Sequence, residues 1–332
     1  AAARLGEALA EQLEQLPAEL RPPPPPPAST VHRALGSIRG SRVRFRHHAG
    51  APLPDDIVVV DEASMVDLAM MRRLVEAVRP EARLVLLGDR DQLASVESGA
   101  VLGEVARGAE QHPASPVAAG VVRLRHSFRF RDDGGIGGLA RAVRRGDAER
   151  ALAVLSEGGE VQLLPRPPAR RLGTALRGLV QEGFAPLCGA TSPAGAVASL
   201  GAFRVLCAHR RGPWGLDVLN PLIEAALAQE GLLAPSQGWY AQRPVLVTAN
   251  DYRLELFNGD QGVVLPGDRG LRVAFPAADG VRTLAVSRLA DVETVFALSV
   301  HKSQGSEFDR VVVVLPEVLV FVVPESLVKS ST

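Results

Sequence analysis

Two adjacent carboxylates, Asp61 and Glu62, close the apolar run Ile57–Val60 in the stretch IVVVDEASMVD. Hard oxygen donors at the end of a buried strand suit phosphoryl transfer. The first acid would hold Mg²⁺ through its water shell, and the second would polarise an attacking water. Placement and charge are most of what that reaction asks of a protein. Alone the pattern is weak, because acids also suit the positive end of a helix dipole. Its company is more informative. Asp89 and Gln92 follow the next apolar run, in LVLLGDRDQ, where an acid and an amide can sense a γ-phosphate. Arg129, in HSFRF, offers the planar fork that grips phosphate oxygens. VHKSQGSEFD sets His301, Lys302, Ser303, Gln304 and Gly305 together, a set of donors for phosphates or strand backbones.

Each residue has a plainer role open to it. Gln92 would serve as a helix cap, Arg129 as a surface ion-pair partner, and His301 as a strand-end histidine. His47 and His48 have no cysteine or acid cluster near them in sequence and read as loop residues rather than metal ligands. Trp214, Trp239 and Tyr240 are able to stack on bases, but packing suits each of them better.

The elements that must position these groups are legible in outline. Met65, Leu68, Met71, Val75 and Val78 recur near a period of 3.6, so MVDLAMMRRLVEAV predicts an amphipathic helix with Arg72, Arg73 and Glu76 outward. Ala82–Asp89 reads as a second apolar strand. Strand, helix and strand at this spacing make a βαβ unit, hence a parallel sheet buried on both faces. Ligands of such sheets bind at the carboxyl ends of the strands, where Asp61, Glu62 and Asp89 lie. Upstream, Leu5, Leu9, Leu13 and Leu16 share a helical face, Pro22–Pro27 form a stiff spacer, and Thr30–Gly36 predicts a short helix. Downstream, residues 131–135 read as a loop and GLARAVRRGDAERALAVL as a helix. Strands are predicted at 204–208, 244–249 and 310–316, with a small antiparallel insert between Asn258 and Asp291.

The chain of 332 residues has room for two domains. Its 37 basic and 37 acidic residues cancel, which excludes a broad basic field but not local patches. The two cysteines, Cys188 and Cys207, suggest a reduced, cytoplasmic setting. The apolar stretch from Val311 is interrupted by Pro316 and Glu317 and falls short of a membrane span. No membrane association is expected.

TVHRALG, FRHHAG, VVVDEASMVDLAMM, LVLLGDRDQLASVESGAVLGEV, NDYRLELFNGDQG and LSVHKSQGSEFD together resemble the RecD family of exodeoxyribonuclease V α subunits, superfamily 1 helicases of the 5′-to-3′ class. The resemblance runs nearly to Pro316. It implies an α/β fold of two RecA-like P-loop motor domains, the first to about residue 110 and the second over 111–332 with the β insert. It also implies ATP and Mg²⁺ as cofactors, single-stranded DNA as track, RecB-like and RecC-like subunits as partners, and a part in double-strand break repair. Carried over by position, Asp61 would be the Mg²⁺ ligand, Glu62 the general base, and Gln92 the γ-phosphate sensor beside Asp89. Arg129 would reach the γ-phosphate from the second domain. Gly305 and Glu307 would lie on the nucleotide side, and Thr30, His32, Arg33, His301, Lys302 and Ser303 on the DNA side. Two family features are missing. No G-x-x-x-x-G-K-[ST] occurs in the chain, and no arginine follows Pro316. The expectation is therefore an internal fragment of a RecD-like protein. The alternative is a non-catalytic DNA-binding or scaffolding piece.

Overall fold

The structure is a computed structural model that describes residues 12–22, 28–38, 44–92, 101–124, 134–165, 167–251, 253–277, 280–316 and 319–322. Two compact units divide the chain, Ala1–Arg125 and His126–Thr332.

In the first unit Thr30 caps the short helix α1 (Val31–Ala34). The β1–α2–β2 unit follows: β1 Ile57–Val60, α2 Leu68–Ala77 and β2 Arg83–Leu86. β1 and β2 pair in parallel, with Ile57 opposite Arg83 and Val60 opposite Leu86. The helix begins later than its periodicity predicts. Ala63–Met65 form a 3₁₀ turn, and the Asp67 carboxylate accepts the Met70 N–H at 2.9 Å, which fixes Leu68 as the first helical residue. That start also sets the helical phase. The buried stripe is Met71, Leu74 and Ala77, whereas Met65, Leu68 and Val75 are exposed. The expected stripe is thus displaced by a fraction of a turn. Arg72 bonds Glu76 one turn on at 2.8 Å, and Arg73 stacks over Phe45 at 5.6 Å. The sheet is not buried on both faces as expected. Val58 and Val60 turn to the core, while Ile57 and Val59 are 61% and 40% exposed. α3 (Val101–Gln111) and α4 (Pro116–Ala119) complete the unit, so its last helix lies past residue 110.

The second unit opens with two helices, α5 (Gly135–Arg145) and α6 (Ala148–Glu157), where one was expected. Gly146, at φ 68°, takes the left-handed conformation that ends a helix, and Asp147 caps the next through Arg150 N at 2.9 Å. The main sheet runs β10–β4–β11–β12–β3. β4 (Phe203–Cys207) lies between β10 (Ala297–Ser299) and β11 (Arg310–Val314), parallel to both. β12 (Leu319–Val322) joins β11 and β3 (Val161–Leu164) antiparallel. The helices α7 (Leu172–Cys188), α8 (Pro193–Ser199) and α9 (Leu216–Gln229) contribute Leu176, Phe184, Ala196 and Ile223 to the core over this sheet. There Phe184 meets Phe203 and Phe296 edge to face at 4.9 and 5.1 Å. Gly183 lets that stack form, since a Cβ there would stand 2.4 Å from the Phe203 ring.

The second sheet is antiparallel, in the order β8–β7–β6–β5–β9, with β5 Pro244–Val247, β6 Gln261–Gly267, β7 Gly270–Ala277, β8 Gly280–Ala285 and β9 Val292–Thr294. It is larger than the expected insert, because it takes Pro244–Val247, which the sequence reading leaves outside the insert. PVLV is buried at every position, and a short apolar run reads the same in either kind of sheet. Tyr240 is buried with its hydroxyl donating to Glu224, Trp239 packs on the antiparallel core, and Trp214 leans on the main one. All three aromatics therefore pack. Burial pushes the thiols of Cys188 and Cys207 up to about 11. Among the described residues no helix is long and apolar enough to cross a membrane.

Candidate functional site

The acid pair sits where β1 ends. Asp61 is exposed, and its Oδ1 accepts the Glu62 N–H at 2.9 Å. Glu62 stands at φ 53°, in the left-handed region that a non-glycine residue adopts only under constraint. The constraint is visible next door, where the Ala63 N–H donates to Leu87 O at 2.7 Å and the Leu87 N–H donates to Val60 O at 2.8 Å. The turn carrying the acids is thereby laced to the end of β2.

Gly88 brings the second motif into contact with the first. A Cβ on Gly88 would lie 2.6 Å from Leu102 Cδ2, 3.0 Å from the Ser64 nitrogen and 3.2 Å from the Ala63 nitrogen. Only a residue without a side chain lets GDRDQ seat on DEAS. Beyond it, Asp89 Oδ1 accepts the Asp91 N–H at 3.0 Å, and the Gln92 N–H donates to Asp89 O at 3.2 Å. Arg90 ties this loop to α3 through Glu110 at 2.7 Å, and that hydrogen bond holds the Glu110 carboxyl below its ordinary range. Asp61, Glu62, Asp89 and Gln92 thus share one end of the β1–β2 sheet. Behind them Ser64 is 7% exposed, and its hydroxyl has no partner among the described residues.

Thr30 has a local task, since its Oγ1 accepts the Arg33 N–H at 3.4 Å; His32 and Arg33 are exposed beside it, with His32 6.0 Å from the Phe45 ring. Arg129 lies outside the described residues. His47 bonds the Pro52 carbonyl and His48 Nδ1 accepts the Gly50 N–H, so both shape a loop. No cluster of three or more metal-ligating side chains occurs among the described residues.

In the second unit His301–Ser303 form a 3₁₀ turn at the carboxyl end of β10. The Val300 N–H donates to Cys207 O at 3.0 Å, the Lys302 N–H to Ser299 Oγ at 3.3 Å, and Ser303 Oγ–H to Val300 O at 2.8 Å. Gly305 follows at φ 71° and Glu307 is exposed. The Lys302 ammonium donates to Asn258 Oδ1 at 2.8 Å. Sequence reasoning assigned no role to Asn258, and gave none to Gly88 or Ser64 either. Gly88 had a signal, a glycine directly after an apolar strand. Asn258 had none, because its meaning lies in a contact with a residue 44 positions away.

The AAA domain family matches residues 11–166. RecBCD enzyme subunit RecD of Mycolicibacterium smegmatis is 46% identical over 319 residues, covering 95% of this chain and 55% of that protein. The protein of that name from Mycobacterium tuberculosis strain CDC 1551 is 46% identical over 321 residues, covering 96% and 54%. Over nearly its whole length the chain is similar to these RecD subunits. It spans about half the length of the curated RecD relatives it matches. Among solved structures, Bacteroides Pif1 bound to single-stranded DNA aligns over 86% of this chain and 72% of that one, at TM-score 0.45 and 15% identity. The mixed α/β architecture with parallel strands is the one expected of a RecD chain. So is the placement of its acidic motif at a strand's carboxyl end.

Proposed function

We propose that this chain forms part of the motor of an ATP-driven 5′-to-3′ DNA helicase, a RecD-type subunit working with RecB-like and RecC-like partners in the cytoplasm at DNA double-strand breaks. Each unit is read as a RecA-like motor domain. The observation that carries the reading is Gly88, which seats Asp89 and Gln92 against the turn of Asp61 and Glu62.

The donor set fits Mg²⁺ with ATP. Its oxygens are hard, its carboxylates sit at a parallel strand's end, and a buried hydroxyl, Ser64, is unpartnered behind them. Two or three carboxylates cannot complete an octahedral shell, so phosphate oxygens and waters supply the rest. Bound Mg²⁺ would neutralise charge building on the β- and γ-phosphates. The residues of this chain then have separate tasks. Asp61 takes the metal's water shell. Glu62 accepts a proton from the attacking water; its backbone is left-handed and its N–H is bonded by the Asp61 side chain. Gln92 reports the γ-phosphate, with Asp89 fixing the loop that carries it. By the family resemblance, Arg129, Gly305 and Glu307 would also serve nucleotide. Thr30, His32, Arg33, His301, Lys302 and Ser303 face single-stranded DNA, held through phosphates and therefore sensitive to salt.

Unwinding polarity tests this directly. The full-length protein should open a duplex carrying a 5′ single-stranded tail in the presence of ATP and Mg²⁺, and should leave a 3′-tailed duplex closed. Opening of the 3′-tailed substrate alone would refute the assignment.

A further inference from the structure

Lys302 is exposed, yet its ammonium is not loose. Its hydrogen-bond partner is the Asn258 amide oxygen at 2.8 Å, and among the described residues no carboxylate pairs with it. An amide holds an ammonium without cancelling its charge. Lysine has three donors, so one bond to Asn258 leaves two for another acceptor.

Asn258 is itself fixed. It lies in the tight turn that leads from β5 into β6. Its backbone N–H donates to Asn250 Oδ1 at 2.8 Å. Asp251 Oδ1 accepts the N–H groups of Arg253 and Leu254, at 2.9 and 3.2 Å. Asp260 Oδ2 accepts the Phe257 N–H at 2.8 Å, and the Gly259 N–H, at φ 103°, returns to Val247 O at 2.9 Å. A loop tied at so many points has little conformational entropy left to lose.

The antiparallel sheet meets the far flank of the same segment as well. Phe308 lies under the Arg204 guanidinium, 5.1 Å from ring centre to carbon. Arg204 is 1% exposed and donates to Gln261 Oε1 and Leu200 O, both at 2.9 Å, and to Val295 O. The turn from His301 to Phe308 is therefore gripped on both sides by contacts that lead to β6.

We propose that Asn258 is a positioning residue for strand binding: its amide oxygen holds the Lys302 ammonium, uncancelled, where it meets a phosphate of single-stranded DNA. This rests on the reading that places Lys302 on the DNA side. It gives the antiparallel sheet a task in the grip.

The test is salt-dependent binding of a dye-labelled oligothymidine to the full-length protein, read by fluorescence anisotropy. One neutralised phosphate on a single strand contributes about 0.7 to the slope of log K against log salt. Lys302→Met should lower the slope by about that amount. Asn258→Ala should lower it equally and weaken binding several-fold, and the double variant should add nothing further. Asn258→Asp keeps the shape and the backbone bond to Asn250. It should also flatten the slope, because its carboxylate cancels the ammonium; this variant decides the matter if the alanine variant fails to fold. If Lys302→Met lowers the slope while both Asn258 variants leave it unchanged, the positioning role is wrong and the DNA-side reading of Lys302 stands. If Lys302→Met leaves the slope unchanged, both fall.

Discussion

Ser64 and Glu62 are both held in states a folded chain seldom tolerates without a reason. The Ser64 hydroxyl is buried without a partner among the described residues, which costs about 1–3 kcal/mol of desolvation. Ser64→Ala removes that cost, so the melting temperature of the full-length protein should hold or rise. A fall of several degrees would mean that the hydroxyl has a partner in the folded state. Glu62 takes a left-handed backbone, at about 1–3 kcal/mol, offset by the Ala63 N–H to Leu87 O bond beside it. At this scale the position of Asp61, Glu62 and Asp89 after strand ends was legible in the sequence, because charge at the end of an apolar run has few plain uses. Asn258 and Ser64 were not. Their significance lies in what folding brings beside them, and the sequence around each reads as an ordinary turn.

The two turns at the end of the β1–β2 sheet are packed backbone to backbone through Gly88. Gly88→Ala would force a Cβ to within 3.0 Å of the Ser64 nitrogen, and a main chain cannot yield as a flexible side chain does. ATP hydrolysis should therefore drop by at least tenfold, while the melting temperature falls by only a few degrees. Wild-type turnover in Gly88→Ala would detach GDRDQ from the nucleotide site. The α2 cap gives a second check. Asp67→Ala should cost about 1 kcal/mol, read as a lower midpoint in denaturant. Elements were legible where periodicity was long. The strands of the βαβ unit and the strands β4 and β11 follow from short apolar runs, β-branched in β1 and β11. The phase of α2 did not follow, because Asp67 sets the start of the helix one turn inside the apolar pattern. That β5 belongs to the antiparallel sheet did not follow, because four buried residues carry no alternation to choose by.

At the scale of the whole molecule, the core of the second unit buries the Cys207 thiol and half-buries that of Cys188, and burial pushes the ionisation of both up to about 11. In the unfolded chain thiols ionise near their ordinary value of about 8.5. As pH rises above that value, the unfolded state therefore gives up protons that the folded state keeps. Stability present below about pH 8.5 should drain away as pH climbs towards 11. A Cys188→Ala, Cys207→Ala double variant should show a shallower fall in melting temperature over that window, and an identical fall would contradict the burial of both thiols. The length leaves room for two domains. The extent of the antiparallel sheet was not legible, because two of its strands, β5 and β9, lie outside the segment of alternating residues. The central claim is that the carboxylates at the end of β1 activate water for ATP hydrolysis driven by DNA. The most direct measurement is steady-state ATPase of the full-length protein with saturating single-stranded DNA, wild type against Glu62→Gln, with nucleotide binding measured alongside. The account expects hydrolysis to fall by about 10²–10⁴ with nucleotide affinity retained, since the amide keeps the shape but accepts no proton. Equal turnover in the two proteins, or no DNA-stimulated hydrolysis in either, would contradict it; the second result would leave a DNA-binding scaffold without a motor.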